Sequence, residues 1–314
     1  MSWQMLAAAI ALGTGLSSVA AQAPPVDVPE LEVLALENER YRRMTVPVTI
    51  GGAGPFQFML DTGAQATVLS RDLADRLQLF DREEATLVGM ASRRQVETTA
   101  ISDFGLGSRT FHIQAAPVVE GAHIGGADGI LGLDSLQNQR VLIDFGKKEI
   151  TVADAETRGG NRGFEIVVRA RSRLGQLIIT AARLDGVPVA LIVDTGAQGS
   201  IGNPALLARL RRSRAIGETQ LTDINGVMMG GSIRLARELR VGRASVSNLP
   251  ILFTDSPSFH SLGLADEPAL LLGMEELKLF RRVAIDFRTR RVLFDLPPGA
   301  ASSESIGFGR GSRL

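Results

Sequence analysis

Two stretches decide the reading: Phe58-Met59-Leu60-Asp61-Thr62-Gly63-Ala64-Gln65 and Ile192-Val193-Asp194-Thr195-Gly196-Ala197-Gln198. An apolar run enters each, and the residues Asp-Thr-Gly-Ala-Gln recur at an offset of 133 positions (194 − 61). A repeat has to be read before any single motif, because it makes the chain two copies of one supersecondary plan. The surroundings repeat as well. Val46–Ile50, a Gly-rich turn at Gly51–Gly54 and Phe56–Leu60 predict a hairpin that delivers the first copy. Leu177–Leu184, the Asp185-Gly186 turn and Val187–Val193 predict the same for the second. A short helix is predicted behind each copy, with Ser70 capping Arg71–Leu79 and Asn203 capping a helix that begins at Pro204.

Farther along, Asp128-Gly129-Ile130-Leu131-Gly132 is echoed by Ala269-Leu270-Leu271-Leu272-Gly273. Each echo is followed by Ile-Asp-Phe, at Ile143-Asp144-Phe145 and Ile285-Asp286-Phe287. The polar, Gly-rich stretch Asp154–Gly163 has the composition of a linker. The predicted organisation is all-β: two similar barrel-like lobes, 35–154 and 164–297, with a cleft between them.

Composition narrows the chemistry. The 314 residues carry 34 Lys+Arg against 34 Asp+Glu, and a formal charge of zero argues against nucleic-acid or polybasic membrane-surface binding. Without cysteine there is no disulfide framework, thiolate metal site or cysteine nucleophile. His112, His123 and His260 are scattered without ligand spacing, so neither a metal nor any other cofactor is expected. Catalysis must come from carboxylates, hydroxyls and backbone. At the start, the 12-residue apolar run Met5–Leu16 is too short to span a bilayer, and Val19-Ala20-Ala21 follows it. That pattern predicts a signal peptide over 1–21 and a periplasmic or secreted protein, with an uncleaved membrane anchor as the alternative. At the other end, 298–314 reads as a flexible tail.

Two Asp-Thr-Gly-Ala motifs, each after an apolar strand and each paired with a hydrophobic-hydrophobic-Gly element, resemble the aspartic protease family. Ala64 and Ala197 resemble the retropepsin-like branch, since pepsin-like members usually carry Ser there. The resemblance implies the acid-protease fold, with Asp61 and Asp194 as a catalytic pair in the inter-lobe cleft. It implies supporting roles for Thr62, Gly63, Ala64, Thr195, Gly196 and Ala197, the two threonines bonding across the lobe interface. It also implies one flap per lobe, here Val88–Ser92 with Gly89 and Met90, and Asn225–Gly231 with Gly226 and Met228. The expected partner is a polypeptide substrate, and the expected assembly is a monomer with internal pseudo-twofold symmetry.

Physical chemistry supplies the reason for two carboxyls. Hydrolysing a peptide bond without a metal or covalent intermediate needs a base for the water and an acid for the carbonyl and leaving nitrogen. Two adjacent carboxyls that cannot both ionise share one proton and do both, a behaviour for which the aspartic protease dyad is itself the standard example. The competing reading is a non-catalytic peptide-binding or scaffold protein that keeps the fold.

Overall fold

The protein is described by a computed structural model, which covers residues 45–154, 161, 163–210, 213–298 and 305–307. The predicted signal peptide over 1–21, the first positions of the predicted N-terminal lobe (35–44) and most of the predicted linker lie outside the described residues.

The first lobe runs β1 (Thr45–Ile50), β2 (Ala53–Leu60), β3 (Val68–Ser70), α1 (Arg71–Arg76), β4 (Glu83–Val88), β5 (Arg93–Leu106), β6 (Arg109–Val119), β7 (Gly129–Leu131), α2 (Leu133–Leu136), β8 (Gln139–Asp144) and β9 (Glu149–Asp154). The second runs β10 (Ile166–Arg169), β11 (Arg171–Arg173), β12 (Gln176–Leu184), β13 (Val187–Val193), β14 (Ser200–Gly202), α3 (Pro204–Arg209), β15 (Arg214–Thr222), β16 (Met228–Val241), β17 (Ala244–Phe253), α4 (Pro257–Ser261), β18 (Ala269–Leu272), α5 (Met274–Leu277), β19 (Arg282–Asp286) and β20 (Arg291–Asp295).

Sheet order makes the repeat physical. The first lobe is ordered β1-β2-β7-β3-β6-β5-β4, and the second repeats it as β12-β13-β18-β14-β17-β16-β15, with β11 added at the β12 edge. Each sheet curls back on itself, because β1 also pairs β5 and β12 also pairs β16. The alternation in β1 turns Val46, Val48 and Ile50 inward and leaves Pro47 and Thr49 exposed. Those side chains pack with Phe58 and Phe104, whose rings meet edge to face at 5.4 Å between centroids.

A third sheet, ordered β10-β20-β19-β8-β9, draws strands from both lobes. Its centre is the antiparallel pair β8–β19, which are the two Ile-Asp-Phe strands. Arg282 lies opposite Asp144, and Asp286 opposite Arg140, so the register is itself two-fold symmetric. Phe164 is sandwiched there, its ring 5.4 Å and 4.9 Å from the guanidinium carbons of Arg140 and Arg282.

Ser70 and Asn203 cap their helices, accepting from the Leu73 and Leu206 amides at 3.2 and 2.9 Å. The first helix is shorter than predicted. Gln78 takes a positive φ of 56° and the Leu79 amide turns back onto the Ala74 carbonyl, so the helix stops at Arg76 instead of Leu79. The segment read as a flexible tail also contains structure: β21 (Ser305–Gly307) runs parallel to Ser245–Ser247 of β17. Strand β14 covers only Ile251–Phe253 on that side of β17, so the tail occupies an edge that would otherwise be unpaired. Among the described residues no helix is long and apolar enough to cross a membrane.

Candidate active site

Each Asp-Thr-Gly loop leaves its lobe where a parallel pair ends. Leu60 of β2 lies opposite Leu131 of β7, and Val193 of β13 opposite Leu272 of β18. The next amide in each case, Asp61 or Asp194, donates to that leucine's carbonyl at 3.1 or 3.0 Å. Gly132 and Gly273 let the loop lie directly on the leucine element. A Cβ on Gly132 would stand 2.4 Å from the Ala66 backbone, and one on Gly273 2.4 Å from that of Gly199.

Within the loops, the Gly63 and Ala64 amides donate to Asp61 Oδ1 at 2.7 and 2.9 Å. The Gly196 and Ala197 amides donate to Asp194 Oδ1 at 3.0 and 3.1 Å. Each carboxyl then reaches across the lobes. A Cβ on Gly63 would lie 2.6 Å from Asp194 Oδ1, and one on Gly196 2.2 Å from Asp61 Oδ2. Glycine is required at both positions by this approach. The two carboxyls are close enough to influence one another's ionisation.

The threonines fasten the loops together. Thr62 N–H donates to Thr195 Oγ1 at 3.0 Å and Thr195 N–H to Thr62 Oγ1 at 3.2 Å. Their hydroxyls continue across the interface, Thr62 to the Val193 carbonyl at 2.8 Å and Thr195 to the Leu60 carbonyl at 3.0 Å. Both threonines are buried. Losing one hydroxyl would leave buried amide and carbonyl groups unpaired, at about 1–3 kcal/mol each.

Electrostatically, burial is the dominant influence on both aspartates. It raises Asp61 despite the opposing loop amides. It pushes Asp194 up to about 7, with the neighbouring Asp61 charge acting in the same direction. The pair therefore holds a proton well above the ordinary carboxylate range, and its two ionisations belong to the pair as a whole.

Two hairpin tips meet across the lobes. The β4–β5 tip presents Gly89 and Met90, and the β15–β16 tip presents Asp223–Val227. They touch. Asp223 Oδ2 accepts from the Ala91 amide at 3.1 Å and from Ser92 Oγ at 2.7 Å, while Asn225 Nδ2 donates to Ser92 Oγ at 2.9 Å. Met90 packs beside Phe259, Leu262 and Ile178 of the second lobe, and its carbonyl accepts from Ser256 Oγ at 2.6 Å. Ile224 packs reciprocally beside Val119, Ile124 and Ile130 of the first lobe.

The sequence reading names Gly89 and Met90, and both lie in the flap contact. Gly226 also lies at the second tip, where a Cβ would meet the His123 ring at 2.5 Å. Met228 opens β16 opposite Thr222 and is 67% exposed. The side chains that make the cross-lobe contact are Asp223, Ile224 and Asn225; Asn225 opens the predicted flap segment, and Asp223 and Ile224 precede it. An alignment of the two repeats could have found them, since Met90 plus 134 is Ile224. Gln176 is a further addition, its amide nitrogen donating to the Gly63 carbonyl at 2.5 Å. No group of three or more His, Asp or Glu gathers around a metal-sized site among the described residues.

Comparison with known proteins follows the same division. Residues 46–138 match the gag-polyprotein aspartyl protease family and residues 180–275 match a second aspartyl protease family. A crystal structure of a retropepsin-like aspartic protease from Rickettsia conorii is similar at 21% identity, over 41% of this chain and 88% of that one, with a TM-score of 0.29. No curated protein matches the chain. With one aspartyl protease family matched in each lobe, the chain carries two aspartyl protease domains in tandem.

Proposed function

We propose that this protein is an aspartic endopeptidase that cleaves extended polypeptide segments through a water activated between Asp61 and Asp194. The observation that carries the reading is the crossed dyad: two carboxyls, one per lobe, each fixed by two loop amides and each seated on the other lobe's glycine. The ionised carboxyl takes a proton from water as the oxygen attacks the peptide carbonyl. The protonated carboxyl gives its proton to the carbonyl oxygen, forming a neutral diol. As the diol collapses, the ionised carboxyl takes the proton of one hydroxyl, the C–N bond breaks, and the protonated carboxyl gives its proton to the leaving nitrogen. The fixed amides and the threonine grip keep the carboxyls from reorganising during these transfers. The flaps exclude water and offer backbone groups to an extended substrate.

Both half-sites lie in one chain, which supports a self-contained monomer. The test is digestion of a diverse peptide library by wild type beside Asp61→Asn and Asp194→Asn, at several enzyme dilutions. Each substitution should lower kcat by roughly 10³-fold or more, and the double variant should be little worse. Wild-type activity per molecule should not change on dilution. Cleavage that survives either substitution would overturn the dyad reading, and no cleavage by wild type would leave the peptide-binding alternative.

A further inference from the structure

The two catalytic loops rest on the same scaffold with different chemistry beneath it. In the first lobe Thr67 Oγ1 accepts from the Gly132 amide at 3.2 Å, donates to Asp134 Oδ1 at 2.6 Å and lies 2.8 Å from Ser135 Oγ. Asp134 is exposed, and its carboxylate is further held by the Thr67 and Ser135 amides at 2.9 and 2.8 Å. In the second lobe Ser200 stands where Thr67 does, 133 positions on, and Glu276 stands where Ser135 does, 141 positions on. Ser200 Oγ accepts from the Gly273 amide at 3.1 Å and donates to Glu276 Oε2 at 2.6 Å. Glu276 is fully buried, and its Oε1 has no hydrogen-bond partner.

The position of this acid matters because the segment it anchors carries the Asp194 loop. Asp194 N–H donates to the Leu272 carbonyl at 3.0 Å, Met274 N–H to Ala197 at 2.9 Å and Glu275 N–H to Gln198 at 2.9 Å. A charged carboxylate with one oxygen unsolvated and unpaired would cost several kcal/mol at this point. We propose that Glu276 is a positioning residue for the second catalytic loop: as a neutral acid it lets the 272–276 junction close beneath Asp194, and its ionisation loosens that junction and removes activity.

The surroundings favour the neutral form. Burial raises the Glu276 carboxyl to about 7, and the Glu275 charge on the same helix pushes in the same direction, against the Ser200 hydrogen bond. Strand β14, which packs against α5, contributes only Ser200, Ile201 and Gly202. Lys278 sits at the C-cap of α5, and Asp194 lies in the loop above. The first lobe has no counterpart, since Ser135 does not titrate in this range. Glu276 thus adds to the second lobe a raised carboxyl that the first lobe lacks at the matching position.

The kinetic arm of the test rests on the dyad reading above, whereas the unfolding arm does not need activity. An acid whose folded value lies above its ordinary 4.5 gives the fold stability that is complete below about 4.5 and lost as pH rises to about 7. Unfolding midpoints from pH 4 to 8 should therefore fall more steeply for wild type than for Glu276→Gln, by the titration of one group. The corresponding change in the folding equilibrium is on the order of 100-fold. In kcat/KM against pH, the alkaline limb of wild type should steepen toward the loss of two protons, and that of Glu276→Gln toward the loss of one. Glu276→Ser, which copies Ser135, provides the same comparison if the amide does not fold. Equal unfolding slopes would overturn the proposal outright. Unequal slopes with identical alkaline limbs would make Glu276 a buried structural acid and overturn its positioning role.

Discussion

The two lobes are near copies at the catalytic loops and different at the flaps. In the Asp-Thr-Gly turns the contacts around the two carboxyls come in pairs: Gly63 and Gly196 against the opposing carboxyl, Thr62 and Thr195 exchanging hydrogen bonds, Leu131 and Leu272 receiving the Asp amides. At the flaps the second lobe supplies a buried carboxylate, Asp223, and the first lobe meets it with the Ala91 N–H and the Ser92 hydroxyl and has no carboxylate of its own in the contact. The difference follows from what each place must do. Two carboxyls that share a proton have to be equivalent in geometry, whereas a clasp needs one acceptor and one donor.

The equivalence of the loops can be broken most severely at the glycines. Gly63→Ala and Gly196→Ala would each place a methyl group against an aspartate of the other lobe, at 2.6 and 2.2 Å before any relaxation. Such overpacking typically costs about 1–3 kcal/mol, and the group forced to move is the reacting one. Turnover should fall by roughly 10²-fold or more in both variants, following the sensitivity of catalysis to ~1 Å misplacement. Circular dichroism should still report a folded β protein. A loss in one variant with near-normal turnover in the other would show that the lobes are not catalytically equivalent.

The flap asymmetry can be sharpened with Asp223→Asn. Asp223 Oδ1 serves its own hairpin, accepting from the Asn225 and Val227 amides at 2.9 Å each, so an amide oxygen there preserves the turn. The other atom becomes a donor facing the Ala91 amide, and the cross-lobe bond is lost. A hydrogen bond to a charged group contributes about 1.5–3 kcal/mol, so KM should rise about tenfold with a smaller change in kcat. Ser92→Ala, which removes one neutral donor, should have a milder effect of the same kind. Hydrogen exchange at Ala91 reads the clasp directly. Unchanged exchange in Asp223→Asn would mean that the apolar seats of Met90 and Ile224 hold the flaps without it.

Much of this was legible in the sequence because it is local or repeated. The hairpins, the Ser70 and Asn203 caps and the two Asp-Thr-Gly-Ala turns follow from turn chemistry and strand patterning, and the 133-residue offset pairs them. The shared sheet was not legible. Ile143-Asp144-Phe145 and Ile285-Asp286-Phe287 are visible as a repeat, but period-two patterning does not say that β8 pairs with β19 of the other lobe. The part of Asp223 and Ile224 in the cross-lobe contact was not legible, because Asp223 reads as an ordinary turn former just before the predicted Asn225–Gly231 flap. Glu276 was equally hidden. A glutamate in Met274–Leu277 reads as an exposed helical position, and only tertiary packing buries it.

The smallest expected effect concerns the dyad's own titration, and it compares the lobes one atom at a time. Burial raises both aspartates, and each Oδ1 receives two backbone donors but no hydroxyl from position 64 or 197, which are alanines. Carboxyls raised above 3.8 in the fold give stability that is present in acid and lost as pH rises toward about 7. Activity requires one proton on the pair, so the acid limb of kcat/KM should lie above the ordinary carboxylate range and the optimum at mildly acidic to near-neutral pH. Adding a hydroxyl donor favours the charged form. Ala64→Ser and Ala197→Ser should therefore each move the acid limb to lower pH, by roughly half a unit to one unit. Equal shifts would mean that either carboxyl can carry the first charge. A shift from only one substitution would assign that charge to its lobe. An unmoved limb in both would show that desolvation and the loop amides alone set the titration, leaving no role for a hydroxyl at this position.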